Sequence, residues 1–249
     1  MKRPIGIAHR GFSGMAPENT LISFAKALEC KPDAVECDIH LSSDGYLMII
    51  HDGTLERTTS GHGKVGKKSY AELRKLDAGS WFSPKFMGEK IPILEELIEL
   101  TKGKIELCIE LKGKGTARKA VSMIEQFDIM DQVALFSFWP EEIMHAKQLN
   151  PRIPTLLLRY YLDLQEPVTL KPVDIAREVL AADANILGIN KEIITPDLIQ
   201  TMHHRAITVS AYTVNTIDVM KTLIQWDVDG IVSDYPDLLM KILNEINPT

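Results

Sequence analysis

Residues 35–52 read VECDIHLSSDGYLMIIHD. Val35, Cys37, Ile39 and Leu41 alternate with Glu36, Asp38, His40 and Ser42. Strict alternation describes a strand with one apolar face and one polar face. Asp44-Gly45 is a hairpin signal, so residues 46–51 read as an antiparallel return that ends at His51-Asp52. A two-residue loop, Asp44-Gly45, sets His51 opposite Asp38; a four-residue loop, Ser42 to Gly45, sets it opposite Glu36. Opposed residues share a face, so either even loop brings His51 to the carboxylates. An odd loop or a bulge breaks that inference.

Outward from this stretch, apolar runs alternate with helical patterns. Extended segments are expected at 4–9, 34–41, 46–51, 104–111, 132–137, 154–158, 186–190, 207–213 and 229–233. Helical patterns lie at 18–30, 94–102, 115–127, 140–149, 173–182, 195–204, 215–226 and 235–246. Strand-helix alternation implies parallel strands joined by crossover helices. Nine extended segments minus the hairpin return leave eight, the number a (β/α)₈ TIM barrel requires. An open doubly wound sheet would favour a glycine-rich phosphate loop after the first strand, and HRGFSG at 9–14 does not match GxGxxG.

The alternation breaks at 53–93, directly after the hairpin. That segment holds eight Lys/Arg against four Asp/Glu, a local charge of +4 in a chain of net charge −6. Ser69 and Glu72 have the spacing of a helix capping box. The expected organisation is one barrel domain over 1–249 with a small insertion subdomain at 53–93 placed over the site.

Bulk properties narrow the function. The net charge of −6 argues against a nucleic-acid partner. No apolar run approaches the roughly 18 residues of a membrane span, and MKRPIGIAHRG lacks the apolar region of a signal peptide. Three cysteines, Cys30, Cys37 and Cys108, fit neither a disulfide framework nor a thiolate metal site. A cytoplasmic location is expected.

Barrel sites sit at the C-terminal ends of the strands. There the sequence places His9-Arg10-Gly11, Glu36 and Asp38, His51, and Glu110 with Lys112. Unpartnered carboxylates are unfavourable in a barrel interior. Glu36, Asp38 and Glu110 together suit a hard divalent cation, Mg²⁺ or Ca²⁺; the competing reading is a salt-bridge set with Arg10 and Lys112. Those two cations suit phosphate oxygens. His9 and His51 are candidate proton donor and acceptor. His62, His203 and His204 read as structural or surface residues, and Asn19 or Thr20 as a helix cap.

Taken in order, HRG at 9–11, PENT at 17–20, ExD at 36–38, HD at 51–52, ELK at 110–112, YTVN at 212–215 and DGIVSDYP at 229–236 resemble the glycerophosphodiester phosphodiesterase family, of the cytoplasmic bacterial type. The resemblance spans nearly the whole chain. It implies a TIM barrel with an insertion after the HD motif, His9 and His51 as a general acid/base pair with the order of the two roles open, Glu36, Asp38 and Glu110 as ligands of a divalent cation, and Arg10 and Lys112 as phosphate contacts. It further implies a small-molecule glycerophosphodiester substrate, hydrolysed to glycerol 3-phosphate and an alcohol, with water or the glycerol 2-hydroxyl as nucleophile. Tyr212 stands where the family often has Trp; it joins Trp81 and Phe82 as candidate substrate-binding residues. Two other functions stay open: a phosphodiesterase of lysophospholipase D or sphingomyelinase D type, with Trp81, Phe82 and Phe86 lining an acyl groove, and a non-catalytic phosphoester-binding barrel. Oligomeric state is not legible.

Overall fold

A computed structural model describes residues 2–161 and 171–246. In chain order the elements are β1 (Ile5–Ala8), α1 (Leu21–Glu29), β2 (Ala34–Leu41), β3 (Leu47–Ile49), α2 (Tyr70–Leu73), α3 (Leu94–Thr101), β4 (Glu106–Leu111), α4 (Thr116–Phe127), β5 (Val133–Ser137), α5 (Pro140–Leu149), β6 (Thr155–Arg159), α6 (Pro172–Ala181), β7 (Ile186–Asn190), α7 (Pro196–His203), β8 (Thr208–Tyr212), α8 (Ile217–Gln225), β9 (Gly230–Ser233) and α9 (Pro236–Ile246). Each expected strand and each expected helix is present. The short helix of the insertion carries the anticipated capping box: Ser69 accepts from the Glu72 backbone N–H, and the Glu72 carboxylate accepts from that of Ser69 at 2.8 Å.

The parallel strands run β1-β9-β8-β7-β6-β5-β4-β2, and β1 pairs with β2 to close the ring. The fold is therefore a (β/α)₈ TIM barrel of eight parallel strands, and β3 is an antiparallel appendage on β2. Proline opens α5, α6 and α7, where its missing N–H would have no intrahelical partner anyway.

Strand alternation divides the core into layers. Val35, Cys37, Ile39, Leu107, Ile109 and Leu111 face outward and pack with Leu94, Leu97, Ala120 and Ile124 of the flanking helices. Ile7, Ala34, Cys108, Phe136, Leu156, Leu158 and Val232 fill the lumen. Cys37 thus points away from the lumen and Cys108 into it, as the period of two requires. A satellite cluster, Met48, Ile50, Leu55, Val65, Leu73, Ala78 and Ile91, joins the hairpin return to the insertion. Fully burying side chains of this size contributes about 1.5–3 kcal/mol each, so the insertion is held largely by apolar surface that the barrel hairpin lends it.

The hairpin register differs from both expected forms. Ile39 opposes Ile49, His40 opposes Met48 and Leu41 opposes Leu47. The intervening turn, 42–46, is odd, and the parity inference for His51 fails with it. Ile39, Leu47 and Ile49 share the outer apolar cluster, while Met48 and Ile50 turn to the insertion. Strand pairing does not carry His51 to the carboxylates; a bend in the chain beyond Ile49 does so.

Candidate active site

The C-terminal mouth of the barrel holds a cavity of about 330 Å³, and His9, Arg10, Glu36, His51 and Glu110 line one side of it. The other side is largely apolar and aromatic, with Phe136, Phe138, Leu158, Tyr160 and Tyr212. Of the aromatic residues singled out in the sequence, Tyr212 lies here and Trp81 and Phe82 do not. Trp81 donates its indole N–H to the Ala78 carbonyl and meets Phe82 edge-on within the insertion, with Phe86 next to Phe82. The aromatic wall is instead built by the loops after β5 and β6 and by the end of β8, which supply Phe138, Tyr160 and Tyr212. Tyr212 is fixed there by donating its hydroxyl to the Arg159 carbonyl at 2.7 Å.

Glu36, Asp38 and Glu110 converge, with one carboxylate oxygen of each within 4.8 Å of the others. Glu36 and Asp38 lie two residues apart on β2, and Glu110 is the register partner of Asp38 on β4, so the parallel ladder itself sets the spacing. All three are buried. Burial, then the neighbouring carboxylates, push Glu36 up, and burial and Asp38 push Glu110 up to about 8. Burial acts on Asp38 in the same direction, but Arg10 and Lys112 outweigh it and hold Asp38 below the usual carboxylate range.

The cations are close but do not satisfy the cluster. Lys112 Nζ lies 2.9 Å from Glu110 Oε1 and 3.5 Å from Asp38 Oδ1. Arg10 Nε lies 3.1 Å from Asp38 Oδ2 without hydrogen-bond alignment. Asp38 Oδ1 is buried and finds no hydrogen-bond donor among the described residues. A buried carboxylate oxygen without a donor, inside a set of three acids facing two cations, fits a hard divalent cation.

Each histidine is oriented through Nδ1. His9 Nδ1 is 2.6 Å from Asp234 Oδ1, and His51 Nδ1 is 2.6 Å from Asp52 Oδ1. Such contacts place the ring proton on Nδ1 and leave Nε2 for chemistry. His9 Nε2 points toward the acids, 4.0 Å from Glu36 Oε2. Burial, with Arg10 and Lys112, lowers the His51 pKa against the opposing pull of Asp38 and Asp52. Asp234 is itself held by Ser13 Oγ at 2.8 Å and Asn215 Nδ2 at 2.6 Å. Burial opposes its ionisation, but the His9 contact and these donors bring it down to about 2.

Sequence reading did not assign Asp234 or Asn215 a role. They lie in the DGIVSDYP and YTVN motifs, but Asp234 meets His9 across 225 residues, Asn215 acts through Asp234, and no local periodicity marks either. Asn19 also differs from its reading. Thr20 caps α1, whereas Asn19, at φ 59, donates Nδ2 to Asp38 Oδ2 at 2.8 Å and accepts from the Asp38 N–H at 3.2 Å. Gly11, at φ +82, lets the loop after β1 press on α1; a Cβ there would lie 2.5 Å from Ser23 Oγ and 2.6 Å from its carbonyl carbon. The adjoining Arg10, at φ 53, turns its N–H to Glu36 Oε2 at 3.0 Å.

A TIM barrel with paired histidines, clustered carboxylates and fixed cations at its C-terminal mouth defines a class of barrel enzymes equipped for acid-base chemistry on an anionic ester. A sequence model of the Glycerophosphoryl diester phosphodiesterase family matches residues 9–238. A glycerophosphodiester phosphodiesterase of Caldanaerobacter subterraneus subsp. tengcongensis is 34% identical, over 96% of this chain and 97% of the relative. A solved glycerophosphodiester phosphodiesterase from Agrobacterium tumefaciens superposes with a TM-score of 0.82 at 30% identity, covering 96% of this chain and 99% of the other. An Oleispira antarctica phosphodiesterase, solved with the product sn-glycerol-3-phosphate, gives a TM-score of 0.85 at 30% identity, covering 97% of each chain. The chain belongs to the glycerophosphoryl diester phosphodiesterase family and is an enzyme of that class.

Proposed function

We propose that the enzyme hydrolyses glycerophosphodiesters to glycerol 3-phosphate and an alcohol, with His51 as general base and His9 as general acid. One observation carries this reading: two histidines in one cavity, each with Nδ1 on a carboxylate and Nε2 left available. The complex of the Oleispira relative with sn-glycerol-3-phosphate supports a substrate that yields that product.

Glu36, Asp38 and Glu110 would hold a divalent cation, Mg²⁺ or Ca²⁺, which supplies Lewis acidity toward a phosphate oxygen. Arg10 and Lys112 neutralise charge that builds on the phosphoryl group. His51, kept neutral by burial, takes the proton of the attacking hydroxyl, from water or from the glycerol 2-hydroxyl. The second nucleophile is already tethered and gains from proximity. The bond from phosphorus to the departing oxygen then breaks, and His9 gives its Nε2 proton to that alcohol. The tethered nucleophile gives a cyclic phosphate, which a water then opens to glycerol 3-phosphate as the now neutral His9 takes the water proton and His51 returns its proton to the 2-oxygen. Asp234 stabilises the imidazolium that His9 forms before transfer. Phe138, Tyr160 and Tyr212 offer the alcohol an apolar wall; Trp81 and Phe82 would affect substrate only through the insertion.

The domain reading is one barrel unit over 1–249 with 53–93 as its insertion. Among the described residues no helix is long and apolar enough to cross a membrane. Three free cysteines agree with the expected cytoplasmic compartment.

The deciding experiment is hydrolysis of glycerophosphocholine, with and without chelator, followed by restoration with Mg²⁺ or Ca²⁺. Loss and metal-dependent recovery are expected. Full turnover in chelator removes the cation from the reading, and absence of turnover on a panel of glycerophosphodiesters under every metal removes the activity.

A further inference from the structure

Among the described residues of the insertion, Arg57 makes the fullest set of polar contacts to the site. Its guanidinium grips two carboxylates. Nη1 and Nη2 donate to the two oxygens of Glu18, both at 2.8 Å. Nε and Nη2 donate to the two oxygens of Asp52, at 2.7 and 3.0 Å. Both carboxylates are themselves engaged. Asp52 Oδ1 is the atom that meets His51 Nδ1, and Glu18 Oε1 also accepts from Arg10 Nη1 at 2.8 Å. His51, Asp52, Arg57, Glu18 and Arg10 thus form one continuous polar chain, anchored at the start of the insertion.

We propose that Arg57 is a positioning residue that locks the base His51 and the phosphate-binding Arg10 into one fixed relation. This rests on the reading of His51 and Arg10 given above. The geometry favours lock over ornament. A planar guanidinium has two edges that match two carboxylates in forked pairs, which a lysine ammonium cannot reproduce. The two histidines also differ here. Among the described residues, the donors that hold Asp234 behind His9 are the neutral Ser13 and Asn215, whereas Asp52 behind His51 shares its charge with Arg57. Removal of Arg57 leaves Asp52 with His51 and Glu18 with Arg10 but no longer ties the two pairs to each other, so the imidazole and the Arg10 guanidinium lose their fixed relation.

The test uses the full chain with its metal and a soluble glycerophosphodiester. Misplacement of reacting groups by about 1 Å costs on the order of 10²-fold, so Arg57→Ala should lower kcat about 10- to 100-fold and raise KM through the loosened Arg10. Arg57→Lys should recover little. Added guanidinium ion should restore part of the kcat of Arg57→Ala, an effect that a merely structural anchor would not give. In a His51→Ala background, the Arg57 substitution should cost less kcat than it does in the unsubstituted enzyme, since only the Arg10 arm is left to loosen. Unchanged kcat in a folded Arg57→Ala enzyme overturns the inference, as does full activity of Arg57→Lys, or loss of thermal stability with no rescue by guanidinium. Unchanged kcat in His51→Ala instead overturns the underlying reading of the histidine, so the two failures are distinguishable.

Discussion

At the residue scale, the proposed mechanism divides the site into groups that exchange protons and groups that hold them in place. Replacement of His9 or His51 by alanine should each lower turnover about 10²-fold or more, the usual worth of a positioned acid or base; stopped assays on purified, folded variants check this. The pH profile tests the assignment. Because the His51 pKa is lowered, the group stays neutral down to below its ordinary value of about 6.5. The acid limb of kcat/KM should therefore fall below pH ~6.5, and His51→Ala should abolish that limb. Asp234→Asn should retain the fold but lose most of the turnover, since it removes the charge behind His9 while keeping its shape. The residues that bear chemistry were legible because alternation and strand ends constrain them: Glu36, Asp38, Glu110 and Lys112 follow from a period of two along β2 and β4. Asp234 and Asn215 were not, since their significance lies in a contact across the closing strands.

At the element scale, the hairpin decides how the insertion meets the barrel. The strand pattern and the Asp-Gly turn were readable, but the turn parity was not. Ser42 accepts from the Tyr46 N–H through Oγ at 2.8 Å and donates to Asp44, and this five-residue arrangement competes with the shorter turns. The difference turns Met48 and Ile50 into the satellite core, where an even turn would set them on the outer apolar face with Leu41 and Ile39. Leu55→Ala or Leu73→Ala, both fully buried there, should cost about 2–5 kcal/mol locally. Hydrogen exchange should report the loosening within 53–93, while the strands β5–β9 keep their protection. Uniform loss of protection across the barrel would show the insertion to be part of one cooperative unit. The location of Trp81 and Phe82 could not be read from composition, because an aromatic pair packs equally well on its own loop or over a cleft.

At the scale of the whole molecule, a polar cluster ties the start of β9 to β8, α7 and the segment before β1. Asp229, next to β9, accepts from Lys2 Nζ at 2.7 Å, from the Val209 N–H at 2.7 Å and from His203 at 2.8 Å. Burial opposes its ionisation, but Lys2, the Val209 N–H and His203 outweigh burial, so its folded pKa is lowered. A lowered carboxylate pKa stabilises the fold above the unfolded value of about 3.9, and that contribution is lost as pH falls through the folded value. Asp229→Asn should thus cost about 1.5–3 kcal/mol at neutral pH, the range for hydrogen bonds to a charged group, with the gap to the unsubstituted protein narrowing below pH 4 in denaturant titrations. His203, read from sequence as structural, serves this seam.

The contact between His9 and Asp234 joins positions 225 residues apart. One member follows β1 and the other follows β9. During biosynthesis, most of the barrel can leave the ribosome and begin to collapse while the acid is still without its carboxylate. Proteins cut short before β9, by premature termination or by proteolysis, would carry the complete acidic cluster and His51 yet lack the orienting partner of His9. On the proposed roles, full turnover is thereby tied to synthesis through β9, and catalysis itself becomes a readout of whether the barrel has closed on its last strand.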